Sequence, residues 1–233
     1  HLNKNNVSDV PFISFHGGEP LLQKPSFFKE ALIYAKKNLP KMKFGIQTNG
    51  VLINQDYLDI FKKYKVNIGL SLDGNKDIND SRRVDLRGRG TFDRVMKGYD
   101  LIKLQKNKDL FGGFLSVIDI NTDPSELIDF YSSVNTNALD LLEPDGHYEN
   151  LPPNKKNFDT TEYGDWLIKA FETWYNKHPH IKLRRFEEII ERLCGGPGEV
   201  EYYGTEPANL ITIATDGSYE AVDQIKSAYN GAE

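Results

Sequence analysis

The sequence predicts an α/β fold built on a parallel sheet or barrel. Five short runs rich in β-branched and aromatic residues recur in the first 142 residues, and segments with helical periodicity lie between them. Four of the five runs lead into polar or glycine-rich stretches. Strands that alternate with helices imply parallel strands joined by right-handed crossovers, because the helix between two strands must pack back onto the sheet.

The predicted elements follow the order β-α-β-α-β-α-β-α-β. Asp123, Pro124 and Glu126 mark the start of the last of these helices, as N-cap, first helical residue and capping-box acid. The predicted strands are 10–15, 44–47, 66–72, 114–118 and 138–142, and the predicted helices are 27–39, 55–64, 92–104 and 124–134.

Composition narrows the class of protein. Hydrophobic residues make up 39% of the 233 residues and charged residues 27%, which is typical of a globular domain. A net charge of -5 argues against nucleic acid as a partner, since phosphate binding needs a surplus of Lys and Arg. The longest apolar runs fall short of the roughly 20 residues of a membrane span, and no signal segment opens the chain. The single cysteine fits a reducing compartment, so we expect a cytoplasmic protein without a membrane partner.

The sequence pattern of the chain changes after residue 150. We predict three parts: a barrel domain over 1–150, a bridging loop and helix over 151–181, and a small module over 182–233. An aromatic stripe at helical spacing in the second part indicates a buried helix face. The chain opens with His1 and ends in Gly-Ala-Glu, so we expect both ends to continue in a longer protein.

The strand ends carry the motifs that suggest chemistry. In α/β sheets and barrels, ligands bind at the carboxyl ends of the strands. The stretch FHGGEPLL follows the first strand, and paired glycines there let a ligand approach the backbone, although a tight turn needs them as well. TNG, SLDG and EPDG follow later strands at 48–50, 71–74 and 143–146.

In this order, GGEP, TNG and SLDG resemble the radical S-adenosylmethionine (SAM) superfamily. The stretch after SLDG also resembles that superfamily, with Asp80, Arg83, Gly90 and Phe92 in its motif positions. The resemblance implies a partial (β/α)6 barrel with strands two to six present. It also implies a four-iron four-sulfur cluster whose CxxxCxxC ligands we expect upstream of residue 1.

The resemblance further implies a binding site for SAM. Ser71 and Arg83 would hold the carboxylate of its methionine part, whereas the alternatives are a turn cap for Ser71 and a solvated surface charge for Arg83. Val117 and Ile118 would pack near the adenine, although a buried strand needs apolar residues in any case. The full set of implied cofactor-binding residues is Gly17, Gly18, Glu19, Pro20, Thr48, Asn49, Ser71, Arg83, Val117 and Ile118.

Other residues are candidates for substrate or for a second cluster. Gln47 and Asp145 would contact a peptide, while the Gln47 amide could equally serve a turn. His16 is a lone imidazole beside the glycine turn, and Leu141 and Leu142 have the composition of a core strand.

The C-terminal part resembles a SPASM-type extension, which implies an auxiliary cluster with Cys194 as a candidate ligand. A small buried hydrophobe is the alternative for this thiol. Val222 stands where that pattern has a further cysteine after Gly217.

The resemblance implies an enzyme that cleaves SAM reductively and uses the 5′-deoxyadenosyl radical to abstract hydrogen from a peptide side chain. Its group cross-links ribosomally synthesised precursor peptides, with ferredoxin or flavodoxin as electron donor. A sulfatase-maturating-type enzyme and a cluster-less peptide-binding relative are the alternatives. A metal-dependent hydrolase or an aldolase would need a His/Asp ligand set or a Schiff-base lysine at the strand ends, and none is evident.

Overall fold

The computed structural model describes residues 12–104, 106–147, 149–196, 210–220 and 228–229. The chain divides into two compact units, residues 1–116 and 117–233, and each is described by itself below.

The first unit is a layer of parallel strands with helices between them. Strands β1 to β4 pair in the order of the chain, and β4 extends to the first residue of the second unit. The strands are β1 (Phe12–Phe15), β2 (Lys43–Thr48), β3 (Val66–Ser71) and β4 (Phe111–Val117). The helices are α1 (Pro25–Asn38), α2 (Gln55–Tyr64), α3 (Lys76–Arg82) and α4 (Phe92–Lys103), with short 3-10 turns at Pro20–Leu22 and Lys108–Leu110.

The two faces of these strands differ in chemistry because successive side chains point to opposite sides. One face is apolar, carries Ile46 and Ile68, and packs on the helices through rings such as the Tyr99–Phe114 pair, whose centroids are 4.8 Å apart. The opposite face carries small and polar residues, namely Gly45, Gln47, Asn67, Gly69 and Ser71. The apolar face therefore forms the core and leaves a polar face away from the helices.

Helix α4 packs closely on the turn that follows β2. A Cβ at Gly98 would lie 2.6 Å from the carbonyl oxygen of Gly50, so only glycine fits at this point of the helix. Gly50 itself has a φ of 74°, a conformation that glycine adopts without steric cost. The contact fixes the turn after β2 against the helix layer.

The second unit contains the remaining helices and strands. Strands β5 and β6 pair in parallel, and β7 and β8 form an antiparallel hairpin. The elements are α5 (Pro124–Ser133), β5 (Ala138–Leu142), α6 (Glu162–Lys177), β6 (Lys182–Leu183), α7 (Arg184–Leu193), β7 (Thr212–Ile213) and β8 (Tyr219–Glu220).

Helices α5 and α6 pack together. The Asp123 carboxylate accepts a hydrogen bond from the Ser125 amide at 2.8 Å, which confirms the predicted N-cap. Within α6, Trp166 and Trp174 are buried and their indole N–H groups donate to the carbonyls of Thr122 (2.9 Å) and Ile181 (2.7 Å). The aromatic stripe is therefore core, and its polar atoms are satisfied as burial requires.

The α/β prediction is confirmed, and α3 and β6 are among the elements that were not predicted. Helix α3 has only seven residues and no apolar stripe, so periodicity could not reveal it. Strand β6 has two residues, and it pairs with β5 inside the segment expected to open the C-terminal module. The domain boundaries at 150 and 181 stay a prediction.

No helix in the described ranges is both long enough and apolar enough to cross a membrane.

Two helical glycines provide a matched test of this packing. We expect Gly98→Ala to lower the free energy of unfolding by about 1–3 kcal/mol, because its methyl group would press on the Gly50 carbonyl. Gly164→Ala in α6 should raise stability by about 0.5–1 kcal/mol, since no atom lies within 4 Å of its added Cβ and alanine favours helix. Thermal unfolding of the full-length protein measures both, and equal effects of the two substitutions would contradict the packing described.

Candidate functional site

The glycine turn after β1 exposes its backbone. Gly17 and Gly18 have φ values of 81° and 46°, and both are exposed with no atom within 4 Å of an added Cβ. The requirement for glycine is therefore conformational rather than one of space. His16 Nδ1 accepts a hydrogen bond from the Gly17 amide at 2.7 Å, which gives this imidazole a role in the turn.

The Glu19 carboxylate joins the ends of β1 and β2. It accepts hydrogen bonds from the Leu21 amide (2.9 Å), the Thr48 hydroxyl (2.6 Å) and the Asn49 amide (2.8 Å). Hydrogen bonds to an ionised carboxylate are stronger than neutral ones. Glu19, Thr48 and Asn49 are predicted cofactor ligands, and in the structure Thr48 and Asn49 both donate to Glu19.

Tyr57 supports the same turn from α2. Its hydroxyl donates to the carbonyls of Leu21 (3.0 Å) and Gln23 (2.9 Å), on the 3-10 turn that follows Glu19. Burial raises the pKa of this phenol, and the nearby Glu19 carboxylate raises it further. The hydroxyl therefore stays protonated as a donor in neutral solution.

At the ends of β2 and β3 two predicted site residues meet. The Gln47 amide nitrogen donates to the Ser71 hydroxyl oxygen at 2.9 Å. Both side chains lie on the polar face of the sheet, where Gln47 pairs across the strands with Gly69. The turn cap considered for Gln47 is thus replaced by a bond between strands.

Arg83 folds back to the end of β3. Its Nε and Nη2 donate to the Asp73 carboxylate at 2.6 and 2.9 Å, and Asp73 is only 4% exposed. Since Asp73 follows Ser71 by two residues, the guanidinium lies at the same strand end as that hydroxyl. Asp73 was absent from the predicted site, although the acid in SLDG followed ten residues later by an arginine is a readable signal.

The remaining motif residues hold the loop between α3 and α4. Asp80 accepts hydrogen bonds from the Asn79 side chain (3.0 Å) and the Phe92 amide (2.8 Å), and a Cβ at Gly90 would overlap with the Asp80 carboxylate. The pattern of Asp, Gly and Phe is therefore explained by one carboxylate that organises the start of α4.

Asp85 binds three arginines at the tip of that loop. It accepts from the Arg87 and Arg89 amides and from the Arg89 and Arg94 guanidinium groups, at 2.8–3.1 Å. Hydrogen bonds from Arg89 lower the pKa of this carboxyl to about 2. The guanidinium groups of Arg89 and Arg94 thus have their own acidic partner, separate from Asp73.

The predicted site residues of the second unit differ in how far they are buried. Ile118 is fully buried and its amide donates to the Leu142 carbonyl at 2.8 Å, whereas Val117 is half-buried. Asp145 is exposed in the segment after β5, and Leu141 is core while Leu142 is half-buried. Their assigned roles stay predictions.

Arginines at the start of α7 clamp the end of β5. Arg184 Nη1 lies 3.2 Å from the Asp140 carboxylate, and Arg185 donates to the Leu141 carbonyl (2.8 Å) and to Glu143 (2.5 Å). Burial raises the pKa of Asp140, and the two arginines oppose that rise.

The described residues contain no group of three or more His, Cys, Asp or Glu placed to hold a metal ion. Cys194 is an exposed free thiol at the end of α7, so the alternative of a buried hydrophobe is wrong. Val222, the other position of interest, lies outside the described residues. Cluster ligation by Cys194 stays a prediction.

The Glu19 bonds predict a stability effect. Glu19→Gln would keep one acceptor oxygen but place an NH2 group against a neighbouring N–H donor. We expect a loss of about 1–3 kcal/mol in unfolding free energy, the cost of an unsatisfied donor. Glu30→Gln, the same change on the exposed part of α1, should cost under about 0.5 kcal/mol. Chemical denaturation measures both, and similar losses would refute the bridging role of Glu19.

Comparison with known proteins agrees with this geometry. A cysteine-type anaerobic sulfatase-maturating enzyme from Clostridium novyi is 28% identical over 233 residues, covering 93% of this chain and 61% of that protein. A structure of hexahistidine-tagged anSMEcpe with bound AdoMet matches with a TM-score of 0.79 and 25% identity, over 92% of this chain and 58% of the other. Native anSMEcpe with bound AdoMet and Cp18Cys peptide matches with a TM-score of 0.71 and 26% identity, over 81% and 54%.

The chain thus spans less than two thirds of the length of these relatives. Their structures have the same fold over most of this chain, which confirms the predicted partial radical SAM barrel. The model of the family described as "Radical SAM superfamily" matches residues 3–131, which is more than half of the sequence. The chain belongs to the radical SAM superfamily.

Proposed function

We propose that the full-length protein is a radical SAM enzyme that modifies a ribosomally synthesised peptide. One observation carries the proposal: within a member of this superfamily, the Ser71 hydroxyl and the Arg83 guanidinium lie at the carboxyl end of the same strand. Ligands of parallel α/β folds bind at such strand ends. The superfamily uses SAM and a four-iron four-sulfur cluster, and we assign both to this protein.

The residues present suit the methionine part of SAM. A guanidinium matches a carboxylate, and Arg83 uses Nε and Nη2 for Asp73, which leaves its Nη1 side for a ligand. The side chain is 28% exposed, so a small molecule can reach it. The exposed backbone of Gly17 and Gly18 supplies carbonyls for the amino group. For the cluster, we keep the prediction of a CxxxCxxC motif upstream of residue 1.

When bound, the cluster and SAM supply a 5′-deoxyadenosyl radical that removes hydrogen from a peptide side chain. The chain contributes orientation. Asp73 fixes the guanidinium of Arg83, and Glu19 joins the ends of β1 and β2. Orientation by such locked groups is the main way in which a protein assists a cofactor.

A peptide is the proposed substrate, with Gln47 and Asp145 as contacts. The Gln47 amide has a second N–H besides the one on Ser71, and Asp145 is exposed. Support comes from the anSMEcpe structure with bound Cp18Cys peptide. We favour side-chain cross-linking of a precursor peptide, as the C-terminal motifs suggest.

Sulfatase maturation is the second candidate, favoured by the name of the Clostridium novyi relative. In either case we propose a cytoplasmic protein that receives electrons from a ferredoxin or flavodoxin and that does not bind nucleic acid.

The full-length protein tests this proposal directly. After anaerobic reconstitution with iron and sulfide, we expect bound iron and, with SAM and a reductant, release of 5′-deoxyadenosine. Mass spectrometry of a precursor-like peptide and of a sulfatase peptide then separates the two candidates: a ring-forming cross-link supports the first, and modification of a single cysteine or serine supports the second. A native protein without the cluster cysteines and without iron would leave only a binding function.

Arg83→Ala should weaken SAM binding about tenfold or more, because a charge-assisted hydrogen bond contributes roughly 1.5–3 kcal/mol. Calorimetry on the reconstituted protein measures the affinity. Because this change removes the arginine that pairs with the buried Asp73, Arg83→Lys is made as well; it keeps the charge, and SAM affinity should fall less. Arg87→Ala on the exposed loop is the control. Unchanged affinity in folded Arg83→Ala would remove Arg83 from the site.

A further inference from the structure

On the polar face of the first unit, side chains lie over glycines of the next strand. A Cβ at Gly45 would lie 2.5 Å from the Phe12 ring, and a Cβ at Gly69 would overlap with the Gln47 amide. A Cβ at Gly112 would likewise overlap with the Asn67 amide. We call these three pairs the glycine ladder. Each pair lets a side chain lean toward the following strand.

The middle pair of the ladder sets the orientation of the Gln47 amide. Its oxygen lies over Gly69, where the hydrogen in place of a Cβ can make a weak C–H···O contact. With the oxygen over Gly69, the amide nitrogen faces Ser71 and donates to its hydroxyl oxygen at 2.9 Å.

This bond determines what the Ser71 hydroxyl can do. A hydroxyl has one hydrogen to donate and two lone pairs to accept with. Because Gln47 donates to the Ser71 oxygen, the hydroxyl hydrogen is directed away from Gln47. It is then available to an acceptor beside the strand end, where the Arg83 guanidinium also lies.

We infer that Gln47 is a positioning residue that makes Ser71 a hydrogen-bond donor to the carboxylate of SAM, and that Gly69 is required for this arrangement. The inference rests on the proposed function, because it takes SAM as the ligand of Ser71 and Arg83. An anionic carboxylate accepts hydrogen bonds only, so a serine fixed as a donor suits it. A serine forced to donate toward position 47 would instead present lone pairs to that anion.

Gln47→Glu reverses the polarity of the bond, since a carboxylate at 47 can only accept from Ser71. In the full-length reconstituted protein we expect SAM affinity, measured by calorimetry, to fall about tenfold or more. Gln47→Met removes the donor without creating an acceptor. Its loss of SAM affinity, expressed as the logarithm of the fold-change, should be less than half that of Gln47→Glu. Asn67→Asp, the same change on the same face, is the control and should leave affinity within about twofold.

Two further measurements separate positioning from other effects. Decarboxylated SAM lacks the carboxylate, so its affinity should be unchanged by Gln47→Glu; an equal loss for both ligands would mean general disruption and would overturn the inference. In a Ser71→Ala background, Gln47→Glu should cost at most threefold. A full loss there would mean simple charge repulsion, and the role through Ser71 would be wrong.

Gly69→Ala tests the ladder. Its methyl group would displace the Gln47 amide, so SAM affinity should fall several-fold in the native background. In a Gln47→Ala background, Gly69→Ala should leave SAM affinity unchanged. Gly112→Ala, which displaces Asn67, is the matched control. If the native protein binds SAM and Arg83→Ala lowers the affinity but Gln47→Glu leaves it unchanged, the inference fails and the proposed function stands. If the native protein binds no SAM, the proposed function itself fails.

Discussion

The bidentate ion pair between Arg83 and Asp73 organises the end of β3 and holds the chain against it after α3. Asp73 is almost fully buried, so the loss of the guanidinium would leave a buried carboxylate with less to stabilise its charge. The pair returns the chain to the strand end after α3. The carbonyl of Arg83 then accepts hydrogen bonds from the amide and hydroxyl of Thr91 at 3.1 and 3.0 Å, directly before α4. The candidate ligand group therefore depends on the buried Asp73 carboxylate, while Asp80 organises the start of α4.

Most of the fold was predictable because the signals are local. Strands such as Ala138–Leu142 stand out as apolar runs, and α5 begins where Asp123 and Pro124 place it. The elements that were not predicted lack such signals. The two residues of β6 form a strand only because β5 offers free backbone groups, and α3 owes its position to the loop that Arg83 and Asp80 hold. These causes lie in tertiary contacts, which a linear pattern does not record.

The site was predictable in position but not in detail. Motif order placed the predicted site residues at strand ends, where the structure has them, and the geometry of parallel strands brings those ends to one side. What the pattern could not tell is which polar atoms are already engaged. Glu19 and Thr48 satisfy each other, and the turn after β2 is held by Glu19 as well as by α4. Sequence identifies residue types, whereas hydrogen-bond partners depend on side-chain directions set by packing.

The glycine ladder has a consequence for how this surface can be redesigned. Each leaning side chain occupies volume above a glycine of the neighbouring strand, so the two positions form one steric unit. Enlarging the glycine alone creates a clash, and shortening the side chain alone leaves an empty groove. Productive changes to the lining must therefore be made in pairs across adjacent strands. A library that varies single positions on β1 to β4 would miss them, and a library of paired positions such as 47 with 69 would sample alternative linings directly.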